Sequence, residues 1–262
     1  MKPASRLRLR TLPSLSALSA ALLSLSPALG ADGPAAAPAP ATPANPAAPA
    51  APAAAPAAES TAAPSAADLR REAQQLMKSG KPAEAYALFL KAAEQGDAIA
   101  QRGCGICLLK GIGVARNIPA ALPWLNRAAE QSDPQALYEL GLCHFKGIGV
   151  PVNTEEATLR LRHAGELGHQ RAQCWMGACY ASGAGVVRDM HAAANWFRKA
   201  AEQGNTQAQY NLALCYERGE GVPADTAVAL RWYEKAAAQG NADAAAAVVR
   251  LKAAAADQAP QP

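Results

Sequence analysis

The sequence predicts an all-α protein, a right-handed α/α superhelical solenoid of helix-turn-helix repeats. Three observations carry that expectation. Four consecutive blocks of 36 residues, Asp97–Ser132, Asp133–Gly168, His169–Gly204 and Asn205–Gly240, align without a gap. Each holds two apolar stripes of helical spacing, and a Gly-x-Gly pair recurs in step as Gly111/Gly113, Gly147/Gly149, Gly183/Gly185 and Gly219/Gly221. A period in the 30s with two helical patterns per unit is how such solenoids are written. Composition agrees, since hydrophobic residues make up 50% of the chain but aromatics only 5%. Ala-rich, aromatic-poor chains favour helix over strand.

Taken in order, residues 1–30 read as a Sec-type signal peptide. They hold Lys2, Arg6, Arg8 and Arg10, no acid, and an apolar run from Leu12 to Leu25 ending in Pro27-Ala28-Leu29-Gly30. Small residues at 28 and 30 fit cleavage after Gly30. The run is shorter than the ~20 apolar residues that span a bilayer. The first cysteine is Cys104, which excludes a lipoprotein anchor, and the leader has no arginine pair for the twin-arginine route. Without the leader's 4 cations, Lys+Arg falls from 25 to 21 and equals the 21 Asp+Glu. No concentrated basic face is left for nucleic acid. Residues 31–66 are nearly all Ala and Pro, the composition of a disordered, semi-rigid linker.

The solenoid is expected over 67–256. Each unit's first helix buries a stripe at i, i+4, i+7: Ala100/Cys104/Cys107, Ala136/Leu140/Cys143, Ala172/Met176/Cys179 and Ala208/Leu212/Cys215. The following Gly stops that helix, and Asn117, Asn153, Asp189 or Asp225 caps the second. The second helix buries Ala121/Leu125/Ala128, Ala157/Leu161/Ala164, Ala193/Phe197/Ala200 and Ala229/Tyr233/Ala236. Upstream, 67–96 forms a degenerate unit, with Leu69, Ala73 and Leu76 in one helix and Ala85, Phe89 and Ala92 in the next. Downstream, 241–256 continues the first-helix stripe through Ala244, Val248 and Leu251 as a capping helix, and 257–262 is a frayed tail.

Motifs such as Ala208-Gln209-Tyr210-Asn211-Leu212-Ala213, Gly219-x-Gly221-Val222-Pro223-Ala224-Asp225 and Trp232-Tyr233-Glu234-Lys235-Ala236-Ala237 resemble the Sel-1-like repeat family, a branch of the tetratricopeptide-type solenoids. The resemblance covers four units. It implies a protein-interaction scaffold, in bacteria often one serving envelope signalling, surface assembly or host contact. A few cysteine-rich relatives are associated with penicillin binding or β-lactam hydrolysis. Their disulfides join a second helix to the next first helix, and this chain has no second-helix cysteine. Two departures stand out. Arg160 replaces the Trp found at 124, 196 and 232, so unit two should pack less tightly, and Pro123 predicts a kink in unit one.

No motif for chemistry emerges. His-Glu-x-x-His, Gly-x-Ser-x-Gly and Ser-x-x-Lys are missing, and the loop glycines lack the strand context of a phosphate cradle. His163, Glu166 and His169 are spaced three apart but read as surface residues. Cys107, Cys143, Cys179 and Cys215 share one repeat position on helices ~8–10 Å apart, too far for a disulfide, and read as free buried thiols. No enzyme activity, cofactor or metal is expected.

Binding is the better reading. By analogy with tetratricopeptide arrays, first helices line the concave face, and the positions off the buried stripe should meet a protein partner. These are Arg102, Ile106, Leu109 and Lys110 in unit one, and Tyr138, Leu142, Phe145 and Lys146 in unit two, with Tyr210 in unit four. Unit three is small there (Ala178, Ala181, Ser182), so units one and two should seat an acidic amphipathic peptide. The expected function is that of an exported, monomeric interaction scaffold or regulator, periplasmic or secreted, with no membrane span after signal cleavage. A secreted host-interaction factor and a cell-wall or β-lactam hydrolase are the alternatives.

Overall fold

A computed structural model describes residues 63–257; the leader, most of the Ala/Pro-rich tether and the last five residues lie outside them. The described residues form eleven α-helices and no strand. Helices α1 (Ala66–Lys78) and α2 (Pro82–Glu94) make the degenerate unit. The four full units follow as α3 (Ala98–Lys110) with α4 (Ile118–Glu130), α5 (Pro134–Lys146) with α6 (Thr154–Glu166), α7 (Gln170–Ser182) with α8 (Met190–Glu202), and α9 (Thr206–Arg218) with α10 (Thr226–Ala238). Helix α11 (Ala242–Asp257) closes the array. Consecutive helices pack together along the whole series, as a solenoid requires.

Polar side chains set the helix boundaries. Asn117, Asn153, Asp189 and Asp225 accept hydrogen bonds from backbone N–H groups in the first turn of the second helices, as expected. The structure adds a second set. Asp97, Asp133, His169 and Asn205 cap the first helices by accepting from the N–H of Ala100, Ala136, Ala172 and Ala208 at 2.8, 2.8, 3.1 and 2.9 Å. Each first helix then ends on Gly111, Gly147, Gly183 or Gly219 in the left-handed region, its N–H donating to the carbonyl of the repeated cysteine.

The two stripes meet in a core of small and large residues. The named alanines of both helices are fully buried. At the centre of each second helix Leu125, Leu161, Phe197 or Tyr233 has no exposure. Glycine on the first helix makes room for three of them. A Cβ on Gly105, Gly141 or Gly177 would fall 2.6, 2.8 and 2.5 Å from Leu125, Leu161 and Phe197. Gly thus costs helix propensity but lets a large side chain reach the helix backbone.

Glutamines tie the ends of units one, three and four together. Gln131, Gln203 and Gln239 donate to Gln101, Gln173 and Gln209 at 2.8, 2.7 and 2.7 Å. The accepting residues in turn donate to the carbonyls of Ala93, Gly165 and Ala201. Unit two has leucine at both positions, Leu137 and Leu167. Changing one Gln alone would strand a buried amide; here both are exchanged. Helix α4 runs on through the exposed Pro123 with the thirteen residues of its counterparts.

Candidate protein-binding faces

On the first-helix face, consecutive units are joined by one position reaching the next unit's cap. Arg70 reaches Asp97 at 3.1 Å and Arg102 reaches Asp133 at 2.9 Å. At the third joint the ion pair becomes a ring stack: Tyr138 and His169 lie 4.6 Å apart, with Arg171 over the tyrosine. At the other end of these helices Lys110 pairs with the buried Glu139 at 3.2 Å, and Phe145 meets Trp175 edge-on at 5.5 Å.

This arrangement corrects part of the expected groove. Leu109, Tyr138 and Tyr210 are buried, because a first helix in mid-array has a neighbour on either side and its flanks are covered. Arg102 and Lys110 already hold carboxylates of unit two, so they are not an open basic rim for an acidic peptide. Lys146 stays half-buried, and desolvation pushes its ammonium below the ordinary lysine range. What remains accessible is a half-buried apolar strip, Ile106, Leu142 and Phe145, with Lys146 beside it. Trp175, only 8% exposed, underlies Phe145 and was not singled out from sequence. Its position holds Gly103, Glu139 and Asn211 in the other units, and that variability was the available signal.

His169 is the other residue missed, since histidine is an uncommon cap. Its Nδ1 accepts from Ala172 N–H while Nε2 lies 2.8 Å from Gln135 Oε1, so the ring must be neutral with the proton on Nε2. Burial and Arg171, followed by Arg102, hold it below the ordinary 6.5 against the opposing Glu139 and Asp133. The neutral cap therefore contributes fully above that ordinary value and is lost as pH falls through the folded one. Between pH 7.5 and 5 the protein should lose about 1 kcal/mol that a His169→Asn variant keeps. Equal acid sensitivity of the two in denaturant melts would refute this role.

The cysteines offer no nucleophile. All six are buried and free. Desolvation pushes Cys104, Cys174, Cys179 and Cys215 up to about 12 and Cys143 to about 11, so these thiols hold their protons at neutral pH. Among the described residues no three His, Cys, Asp or Glu side chains gather as a metal site, and no helix is long and apolar enough to cross a membrane.

The second helices carry a different feature. A groove of ≈ 530 Å³ opens between α4 and α6, with Ala129, Leu137, Leu159 and Arg160 in its lining.

The Sel1 repeat pattern matches residues 77–97, 98–133, 134–158, 170–205 and 206–241. The chain belongs to the Sel1 repeat family. Sel1 repeat proteins are in general protein-interaction scaffolds. The match extends into the degenerate unit and lapses only in the second half of unit two, from 159 through 169. A Sel1 repeat protein from Oxalobacter formigenes is 39% identical with a TM-score of 0.62, over 65% of this chain and 49% of its own. The protective antigen c5321 of uropathogenic Escherichia coli, which displays an SLR fold, is 29% identical with a TM-score of 0.66, over 71% of this chain and 41% of its own. The chain thus spans about half the length of these relatives or less. No protein of curated function matches it.

Proposed function

We propose that this Sel1 array is an exported scaffold of the bacterial cell envelope that binds a protein partner on its first-helix face. Export rests on the leader sequence, which lies outside the described residues. The binding reading rests chiefly on one observation. The Phe145–Trp175 pair and half-buried Ile106 and Leu142 form an apolar strip that the flanking helices leave accessible. A few desolvated aromatic and aliphatic anchors of this kind dominate protein–protein affinity. That a relative is a protective antigen agrees with an envelope location. Bead-bound full chain, incubated with envelope extract, should retain a partner that a Phe145→Ala chain retains several-fold less. Equal retention by both, or a tagged chain found only in the cytoplasm, would contradict the proposal.

A further inference from the structure

We propose that a groove between units two and three binds an acidic side chain of a protein partner through Arg162 and Arg188. The groove, ≈ 620 Å³, lies between α6 and the loop that leads from α7 into α8. Three charged residues line it: Arg162, Arg188 and Asp189. Asp189 is already committed. Its Oδ1 accepts from the N–H groups of His191 and Ala192 at 2.9 and 3.1 Å and so caps α8. The arginines are not: among the described residues neither enters an ion pair.

Arg162 is half-buried, and its Nε is closed off from water without a hydrogen-bond partner. The next unit shows what is missing. Arg198, at the same position, donates to Asn195 at 2.9 Å and to the Tyr216 hydroxyl at 3.3 Å. Unit two has Leu159 where Asn195 stands, and among the described residues no hydrogen bond joins Arg162 to Tyr180, the counterpart of Tyr216. A half-buried guanidinium without an acceptor is one half of a charge-assisted pair. Arg188 is held ready on the loop side. Its Nε donates to the Ala181 carbonyl at 3.0 Å, which fixes the side chain and leaves its terminal nitrogens without an acceptor. The neighbouring joints place Asn126 with Val152 and Arg198 with Ala224 at these two positions, so the arginine pair belongs to this joint alone among the three.

Charge names one part of the occupant and the apolar wall names the rest. A planar carboxylate matches the guanidinium fork. Beside the arginines Val187 is 88% exposed, and Val186 and Met190 are half-buried along the same groove. A free inorganic anion would leave that wall wet, whereas an acidic residue flanked by aliphatic ones covers it. The adjoining groove between α4 and α6 has no such field. Arg160 there is spent on Glu156 at 2.7 Å, and its other cations, Arg162 and His163, are matched by Glu130 and Glu166. The arginine groove shares no residue with the Phe145 strip, and either site can fail without the other.

The test is an NMR titration of ¹⁵N-labelled full chain, read at the Nε–Hε signals of Arg162 and Arg188. The probe is acetyl-Ala-Leu-Glu-Leu-Ala-amide, and the controls are acetyl-Ala-Leu-Gln-Leu-Ala-amide and sodium phosphate. The glutamate peptide should shift both signals saturably, and the glutamine peptide should bind about tenfold more weakly. Phosphate at the same concentration should shift them far less. Arg162→Gln and Arg188→Ala should each weaken the glutamate peptide by about tenfold, and Val187→Ser by about threefold. Arg198→Gln, one unit away, should leave its affinity unchanged. The proposal is overturned if the native chain shows no saturable shift, if the two peptides bind alike, or if phosphate alone reproduces the shifts. Normal binding by Arg188→Ala, a change at an exposed loop position, overturns it equally.

Discussion

Replacing Gly221 by alanine should destabilise the array by about 3–5 kcal/mol. Gly221 has φ 75°, so any side chain there is strained. More importantly, a Cβ would fall inside the Met190 carbonyl at the start of α8. That backbone belongs to the preceding unit and is not a side chain that can swing aside. The second glycine of the loop is where unit four rests on unit three, and Gly113 and Gly185 press on Pro82 and Thr154 in the same way. Gly204 separates the two causes: it has φ 89° but nothing within 4 Å of an added Cβ. Gly204→Ala should cost only about 1–2 kcal/mol, the left-handed penalty alone. Urea unfolding of both variants makes the comparison, and equal losses would show that the loops do not transmit the packing between units.

Phe197→Ala should cost a similar 3–5 kcal/mol. Its ring is fully buried against Gly177. Phe197→Leu should cost less than about 1.5 kcal/mol, because units one and two already pair glycine with Leu125 and Leu161 at this place. Denaturant melts of the two variants test the idea that the units share one packing scheme. A leucine variant as unstable as the alanine variant would contradict it.

The fold was legible in the sequence because repetition averages away local ambiguity. Four copies of one stripe mark a helix face more surely than any single window, and the expected stripes are the buried ones. The binding face was half legible for the same reason in reverse. Spacing within one helix says which residues leave its own stripe, but not what the next helix does to them. Tyr138 leaves its stripe and is then covered by His169. Arg102 and Lys110 read as free cations until the fold brings Asp133 and Glu139, about thirty residues later, against them. Pro123 was expected to kink the second helix of unit one, and that helix runs on through it for its full thirteen residues. The groove between units two and three was not legible, because Arg162 and Arg188 lie on different units and only the fold sets them around one space.

We propose that this scaffold meets its partner at the first-helix strip of units one and two. Photo-crosslinking in intact cells tests it most directly, with p-benzoylphenylalanine placed singly at Phe145 or Ile106 and, as controls, at the exposed Arg231 or Lys235 of α10. One discrete protein adduct is expected from both first-helix positions and none from the controls. Adducts from Arg231 and Lys235 alone, or from none of the four, would contradict it.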